Sequence, residues 1–248
     1  GYLDTMLSTA SCRIMYGEYC VPQLSHQANG KFAVTEMYHP LIPEGVRNSI
    51  TAERSVLLTG SNASGKSTFI KTVALNAILA QTLHTVLAEN YQASWFCIAS
   101  SMALRDDILS QESYYIVEIR SLKRILDLTR LSELPVLCFI DEVLRGTNTV
   151  ERIAASSRIL QAIAEQGGLC FAATHDIELT YLLEKEYDNY HFEEQVEDDK
   201  VAFDYCLHEG RACTRNAIRL LKMLGYDEKI VDDANERVAL FLKSGNWV

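Results

Sequence analysis

A glycine-rich octapeptide at residues 60–67 carries the clearest chemistry in this sequence. It fits the pattern G-x-x-x-x-G-K-[ST], which forms phosphate-binding loops. The apolar run at 55–59 predicts a buried strand before the loop, and apolar residues recur at helical spacing after it. Strand, loop and helix therefore follow in the order that a phosphate-binding loop requires. This flanking pattern disfavours the alternative, a chance match in an ordinary strand–turn–helix unit.

Each residue type in this loop has a chemical reason. Glycine at positions 60 and 65 permits backbone angles that turn successive N–H groups toward a phosphate, and the following helix N-terminus adds partial positive charge. We expect Lys66 to reach the β- and γ-phosphates of ATP and the Ser67 hydroxyl to ligate Mg²⁺. The predicted nucleotide contacts are Gly60, Ser61, Asn62, Ala63, Ser64, Gly65, Lys66, Ser67 and Thr68.

Acidic residues follow a second apolar run, at 136–140, in the Walker B pattern. We expect Asp141 to hold Mg²⁺, through a water, and Glu142 to polarise the attacking water as a general base. His175, just after a third apolar run at 169–173, is the candidate sensor of the γ-phosphate. Simpler alternatives exist, because acidic residues also favour helix starts and a lone histidine is often structural.

Strand-like and helical patterns alternate along the chain, which predicts an α/β fold with a mostly parallel central sheet. The three motif loops would then meet at the carboxyl ends of the strands and form one active site. Consecutive acidic residues favour an ABC-type ATPase within the P-loop NTPase class, and no N-K-x-D motif supports a small GTPase. The pattern predicts strands at 31–38, 55–59, 95–99, 136–140 and 169–173, and an antiparallel hairpin at 187–195 and 201–207. It predicts helices at 2–14, after the loop at 69–81, from 116, up to 166 after a cap at Asn148 or Thr149, at 214–224 and at 227–243.

Composition narrows the classes of protein further. The 248 residues carry a net charge of −10, and no basic patch is evident, so DNA contact by this chain alone is not expected. The acidic stretch at 184–200 predicts a solvated hairpin edge. Seven cysteines without a C-x-x-C pair disfavour disulfides or zinc and indicate a reducing, cytoplasmic environment. No apolar run could span a membrane, and the start at Gly1 indicates a fragment or a tag remnant.

The motifs together resemble the MutS family of mismatch-repair ATPases. The matching stretches include residues after each predicted strand, and the likeness covers nearly the whole chain. These stretches are 38–40 (YHP), 59–68 (TGSNASGKST), the family's signature segment at 106–118 (DDILSQESYYIVE), 139–147 (FIDEVLRGT), 173–179 (ATHDIEL), and, in a helix-turn-helix tail, Gly210, Ala217, Ile218, Gly225 and Ala234.

The resemblance implies an ABC-like ATPase domain that uses ATP and Mg²⁺ and pairs head to tail as a homodimer. Ser113 aligns with the serine that reaches the partner's nucleotide; its simpler role is a helix N-cap. Residues 1–30 would end an upstream lever region, 31–209 would form the ATPase domain, and 210–248 would form helices of dimerisation. Upstream domains absent from this sequence would contact DNA, and hydrolysis would switch DNA-bound states in mismatch repair or recombination.

Some positions depart from the family pattern and indicate a divergent paralogue. Gln111 and Glu112 replace Gly-Arg, residues 114–115 (YY) replace Thr-Phe, and Val46 stands where an aromatic residue usually stacks on adenine. Two alternative functions remain compatible with the sequence. One is another ABC-type ATPase, SMC-like or a transporter subunit, and the other is a nucleotide-gated interaction module with little turnover. The intact Glu142 argues against the second.

Overall fold

The computed structural model describes residues 1–26, 30–42, 44–61, 64–102, 114–197, 200–212, 218, 221–222 and 224–245. The fold is α/β, with helices and strands alternating through most of the chain. The helices are α1 (Tyr2–Tyr16), α2 (Lys66–Leu83), α3 (Tyr114–Leu131), α4 (Thr149–Glu165), α5 (Ile177–Leu182) and α6 (Glu228–Ser244). The strands are β1 (Gln23–Ser25), β2 (Phe32–Met37), β3 (Asn48–Ala52), β4 (Ser55–Thr59), β5 (Asn90–Ser94), β6 (Cys97–Ser101), β7 (Val136–Asp141), β8 (Leu169–Ala173), β9 (Tyr187–Glu197) and β10 (Lys200–Glu209).

The central sheet has six strands in the order β10-β9-β4-β8-β7-β6. All neighbours pair in parallel except β9 and β10, which form an antiparallel hairpin. The predicted mostly parallel sheet with a hairpin portion is therefore confirmed. In the register, Ala173 of β8 lies beside Leu58 of β4 on one side and Asp141 of β7 on the other. The carboxyl ends of these three strands consequently share one edge of the sheet.

Strands β4, β7 and β8 of the central sheet are buried on both faces, which explains why they are continuous apolar runs. Along β4, Val56 and Leu58 pack on one face with α2, while Leu57 packs on the other face with α3 and α4. The same alternation separates Phe171 from Cys170 in β8. Complete burial of a side chain such as Phe171 contributes on the order of 1.5–3 kcal/mol to stability.

A second sheet, in the order β1-β5-β2-β3, was predicted from the sequence only at β2. Its other strands are short and contain polar residues, as in β5, where Tyr91 and Ala93 are buried and the intervening Gln92 is exposed. The predicted strand at 95–99 is wrong in its bounds, since β6 covers Cys97–Ser101. The backbone N–H of Phe96 donates instead to Gln81 Oε1 of α2, at 2.7 Å.

The ends of the helices carry local signals. Asn148, rather than Thr149, caps α4, because its Oδ1 accepts the backbone N–H of Val150 at 2.9 Å. Asp227 caps α6 in the same way, accepting the N–H of Lys229 at 2.8 Å. The short helix α5 was not predicted. Most of the predicted helix at 214–224 lies outside the described residues, so the helix-turn-helix and the division of the chain at 210 stay predictions.

Candidate active site

The phosphate-binding loop begins where the buried strand β4 ends. Gly60 has φ +134° and Gly65 has φ +107°, conformations that residues with a Cβ rarely adopt. A Cβ at position 60 would also stand 2.8 Å from the Phe192 carbonyl oxygen and 2.9 Å from Ser64 Oγ. Ser64 is itself buried and donates its hydroxyl to the Ser61 carbonyl oxygen at 2.8 Å. The loop is therefore tightly turned, and both glycines are required by its geometry.

Lys66 begins α2 and points its ammonium back into this loop. Its side chain is buried, with 3% of the residue exposed, and Nζ donates to the carbonyl oxygens of Gly60 at 2.7 Å and Ser61 at 2.6 Å. Burial lowers the pKa of Lys66 to about 8, although the nearby Glu142 and Asp141 carboxylates raise it in part. An anionic ligand would strengthen the charged form, as expected of a lysine that binds phosphate.

Asp141 ends β7 at the same sheet edge. Its Oδ1 atom is buried and has no hydrogen-bond partner in the part of the chain that the structure describes. A buried carboxylate oxygen without a partner is costly, and a hard cation such as Mg²⁺ would satisfy it. Ser61 Oγ of the phosphate-binding loop is likewise buried without a hydrogen-bond partner among the described atoms. The unpartnered Asp141 oxygen therefore fits a magnesium ligand.

Glu142 and His175 contact each other directly. His175 Nε2 and Glu142 Oε1 are 2.8 Å apart, and the other carboxylate oxygen of Glu142 pairs with Arg145. Glu142 has φ +59°, and its backbone N–H donates to the Ala173 carbonyl oxygen at 3.0 Å. The end of β8 thus fixes the backbone of Glu142, and the loop after β8 supplies its histidine partner.

An ion pair holds the loop that carries His175. Arg152 of α4 donates to both carboxylate oxygens of Asp176, at 2.8 and 2.6 Å. The Asp176 backbone N–H donates in turn to Thr174 Oγ1 at 3.0 Å. Both charged side chains are largely buried, so this bidentate pair fixes the loop against α4.

A cavity of about 670 Å³ opens beside the start of α2. Its walls include Ser67 and Thr68 from the phosphate-binding loop and Val46 from the segment before β3. The hairpin contributes the aromatic side chains of Phe192 and Tyr205. Tyr205 has φ +54°, in a register shift of β10. The volume and the aromatic wall suit the base and sugar of a nucleotide whose phosphates occupy the adjacent loop.

The family model for MutS domain V matches residues 56–241, which include Lys66, Asp141, Glu142 and His175. The chain belongs to the MutS family. Membership sets aside the alternatives of a transporter subunit and an SMC-like protein.

Several full-length relatives align along most of the chain. The protein named DNA mismatch repair protein MutS from Natronomonas pharaonis is 31% identical over 242 residues, covering 94% of this chain and 28% of the relative. The protein of the same name from Pseudothermotoga lettingae is 32% identical over 246 residues, covering 94% of this chain and 30% of the relative. The one from Thermus thermophilus is 28% identical over 237 residues, covering 94% of this chain and 28% of the relative. The chain thus spans less than a third of each relative's length. Among the described residues, no helix is long and apolar enough to cross a membrane.

The structure brings most of the predicted site residues to one sheet edge. Gly60, Lys66 and Asp141 follow β4 and β7 there, with Glu142 and His175 in contact. Asn62, Ala63 and Ser113 lie outside the described residues. Sequence reasoning assigned no role to four functional residues: Arg152, Asp176, Glu118 and Tyr205. Asp176 and Glu118 lie within the family-like stretches 173–179 and 106–118, and a threonine such as Thr174 commonly accepts the N–H two residues on.

Proposed function

We propose that this chain binds ATP with Mg²⁺ and hydrolyses it to ADP and phosphate. The observation that carries the proposal is the contact of Glu142 with His175 at the sheet edge where Lys66 is buried in its glycine loop. A phosphate cradle, a carboxylate base and a polar sensor are the parts that hydrolysis of a nucleotide requires. The family match supports an ATPase independently of this geometry.

Binding would exchange the present partners of Lys66 for phosphate oxygens. The N–H groups of the loop and the N-terminus of α2 would hold the phosphates, with the base and sugar against Tyr205 in the adjoining cavity. Ser67 and Asp141 would hold Mg²⁺, which neutralises phosphate charge when it is bound. The buried, unpartnered Oδ1 of Asp141 supports this assignment within the described residues.

Hydrolysis requires one water and no covalent intermediate. The water oxygen bonds to the γ-phosphorus, the bond from that phosphorus to the bridging oxygen breaks, and ADP leaves with the electron pair. Glu142 accepts the proton of the water, and His175 donates a hydrogen bond to the γ-phosphate. The contact of 2.8 Å between Glu142 and His175 holds the base beside the sensor. General-base catalysis contributes typically about 10²–10⁴-fold to such a rate.

We extend the proposal to the protein that this domain serves. The relatives are named DNA mismatch repair proteins, and we infer an equivalent cytoplasmic role in mismatch repair or recombination. Two copies would pair head to tail through the ATPase face and C-terminal helices, with Ser113 reaching the partner's nucleotide, so that ATP switches DNA-bound states. The net charge of −10 supports DNA contact by upstream parts rather than by this domain. We propose that residues 1–30 end the upstream lever region, that residues 31–209 form the ATPase domain, and that residues 210–248 form the C-terminal dimerisation helices.

Sedimentation of the Glu142→Gln variant with and without Mg-ATP, beside turnover by the wild type, tests both parts. We expect a dimer only with Mg-ATP, because the variant binds but does not hydrolyse. Glu133→Gln, an exposed carboxylate before β7 at the opposite sheet edge, is the matched control and should retain wild-type turnover. Wild-type turnover indistinguishable from that of Glu142→Gln would refute the ATPase proposal.

A second candidate is a nucleotide-gated interaction module with little turnover. It is favoured by one observation: both carboxylate oxygens of Glu142 are engaged, by His175 and by Arg145. These contacts occupy part of the acceptor capacity of the carboxylate and compete with a water for Glu142. The Arg145→Ala variant separates the candidates, because release of Glu142 should raise turnover several-fold in a gated module and leave it unchanged or lower in an efficient ATPase.

A further inference from the structure

Glu118 of α3 is a buried carboxylate with an unusual set of partners. Only 2% of the residue is exposed, and its Oε1 accepts the backbone N–H of Leu144 at 2.5 Å. The backbone N–H of Arg145 also lies near this carboxylate. Its second oxygen, Oε2, is buried without a partner among the described residues. Because glutamate is almost never fully buried unless it is paired, the position of Glu118 requires a reason.

The partner of Glu118 is the loop directly after β7. Glu142 and Leu144 both have positive φ, +59° and +57°, although neither is glycine. Such conformations cost free energy and persist only where the surroundings impose them. Alternating conformations of this kind turn successive N–H groups to one side and form a concave anion site. The carboxylate of Glu118 fills that site, so the loop conformation depends on this buried charge.

Two further contacts fix the same loop. Val143 and Leu144 are buried in the core under α3 and α4. At the far end of the loop, a Cβ at Gly146 would stand 3.5 Å from the Tyr115 ring, so the ring lies against this glycine. The first two turns of α3 therefore hold the loop at its middle, through Glu118, and at its end, through Tyr115.

We propose that Glu118 is a positioning residue for ATP hydrolysis, acting through Glu142. Its carboxylate holds the left-handed turns of the loop, and these turns determine where the Glu142 side chain points. The inference rests on the proposed ATPase function, with Glu142 as the base. The helix that carries Glu118 begins directly after Ser113. A movement of α3 would therefore be transmitted through the Glu118 carboxylate to the loop after β7.

Steady-state kinetics of Glu118→Gln test this role. The amide keeps the volume and one acceptor oxygen but loses the charge that makes its hydrogen bonds strong. We expect kcat to fall about 10–100-fold, the usual effect of a group that orients a catalytic residue. ATP affinity should stay within about threefold, because Glu118 makes no hydrogen bond to the residues of the phosphate-binding loop that the structure describes. Asp127→Asn, an exposed carboxylate on the same helix, is the matched control and should leave kcat unchanged.

A double variant distinguishes positioning from general support of the fold. If Glu118 acts through Glu142, the Glu118→Gln/Glu142→Gln protein should hydrolyse ATP no more slowly than Glu142→Gln alone. A loss that multiplies in the double variant, or a parallel loss of ATP affinity, would overturn the proposal. Wild-type turnover at the level of Glu142→Gln would instead refute the ATPase function itself.

Amide hydrogen exchange tests the loop without any nucleotide. In Glu118→Gln, peptides containing Leu144 and Arg145 should exchange at least about tenfold faster, because local opening no longer has to break charge-assisted bonds. Peptides covering the phosphate-binding loop at 60–66 should exchange as in the wild type. Unchanged exchange in the Leu144 peptide would overturn the proposal whatever the turnover.

Discussion

If Lys66 binds the phosphates as proposed, its protonation should make the affinity for nucleotide depend on pH in the mildly alkaline range. Burial lowers the pKa of this lysine to about 8, against 10.5 for a solvated lysine. Phosphate oxygens in place of the Gly60 and Ser61 carbonyls would favour the charged form and return the pKa of Lys66 toward its ordinary value. The bound state therefore holds a proton that the free protein loses as pH rises through 8, and ATP affinity must fall above that pH.

The magnitude follows from the same pKa values. Lys66 with a pKa of about 8 is about nine-tenths protonated at pH 7 and about one-tenth at pH 9. If the bound lysine stays charged, the dissociation constant for Mg-ATP rises roughly tenfold between these pH values, about 1.4 kcal/mol. At pH 8, binding should take up about half a proton. Phosphate itself titrates near pH 6, below this window.

Isothermal titration calorimetry in two buffers of different ionisation enthalpy measures this proton uptake directly. The Glu142→Gln variant should be used so that no ATP is consumed. The control adds Lys66→Arg, whose guanidinium remains charged at every pH in the window, so that affinity should be flat from pH 7 to 9. An affinity of the lysine protein that is equally flat, with no proton uptake at pH 8, would refute the assignment of Lys66 to the phosphates.

Three further predictions concern the walls and supports of the site. Gly60→Ala should lose ATP binding and about 1–3 kcal/mol of unfolding free energy in urea. Gly210→Ala, also at positive φ (+95°) but with open space around it, shows the strain without the clash. Tyr205→Ala should weaken binding of a fluorescent ATP analogue by roughly 1–3 kcal/mol, as loss of a stacked ring does, and Tyr205→Phe should restore it. Arg152→Lys removes the bidentate geometry on Asp176, so kcat should fall about tenfold while ATP affinity is retained. Equal losses of kcat and of ATP affinity would show that the ion pair supports the whole site.

The parts of the fold that could be predicted are those encoded in short stretches. Strands β4, β7 and β8 are buried on both faces, so each is a continuous apolar run that ends at a polar motif. Because parallel strands share an edge, the positions of the Lys66, Asp141 and His175 loops followed from the order of the elements alone. The antiparallel hairpin was recognisable from its alternating pattern.

The parts that could not be predicted depend on contacts between distant segments. Strands β1, β3 and β5 are short and mixed in polarity. Only pairing makes them strands, because β3 and β5 pair with β2 and β1 pairs with β5. The local sequence does not distinguish Arg152 from other arginines on a helix. Its role depends on Asp176, which the end of β8 places beside it. Tyr205 enters the cavity through a register shift that no local pattern encodes. The sequence indicated only that Val46 replaces the usual aromatic residue. The structure supplies an aromatic wall of the cavity from the hairpin instead.

Three charged groups of this site are already bonded to other parts of it. Lys66 donates to two loop carbonyls, Glu142 bonds to His175 and Arg145, and Glu118 accepts the Leu144 N–H. Such groups are already oriented and partly desolvated, so a ligand must replace these bonds with equivalents rather than assemble them. A neutral ligand offers Lys66 nothing stronger than the carbonyls it would leave, whereas a phosphate oxygen adds a full charge. We therefore expect the site to select anions with several acceptor oxygens, even without any contact to the nucleobase.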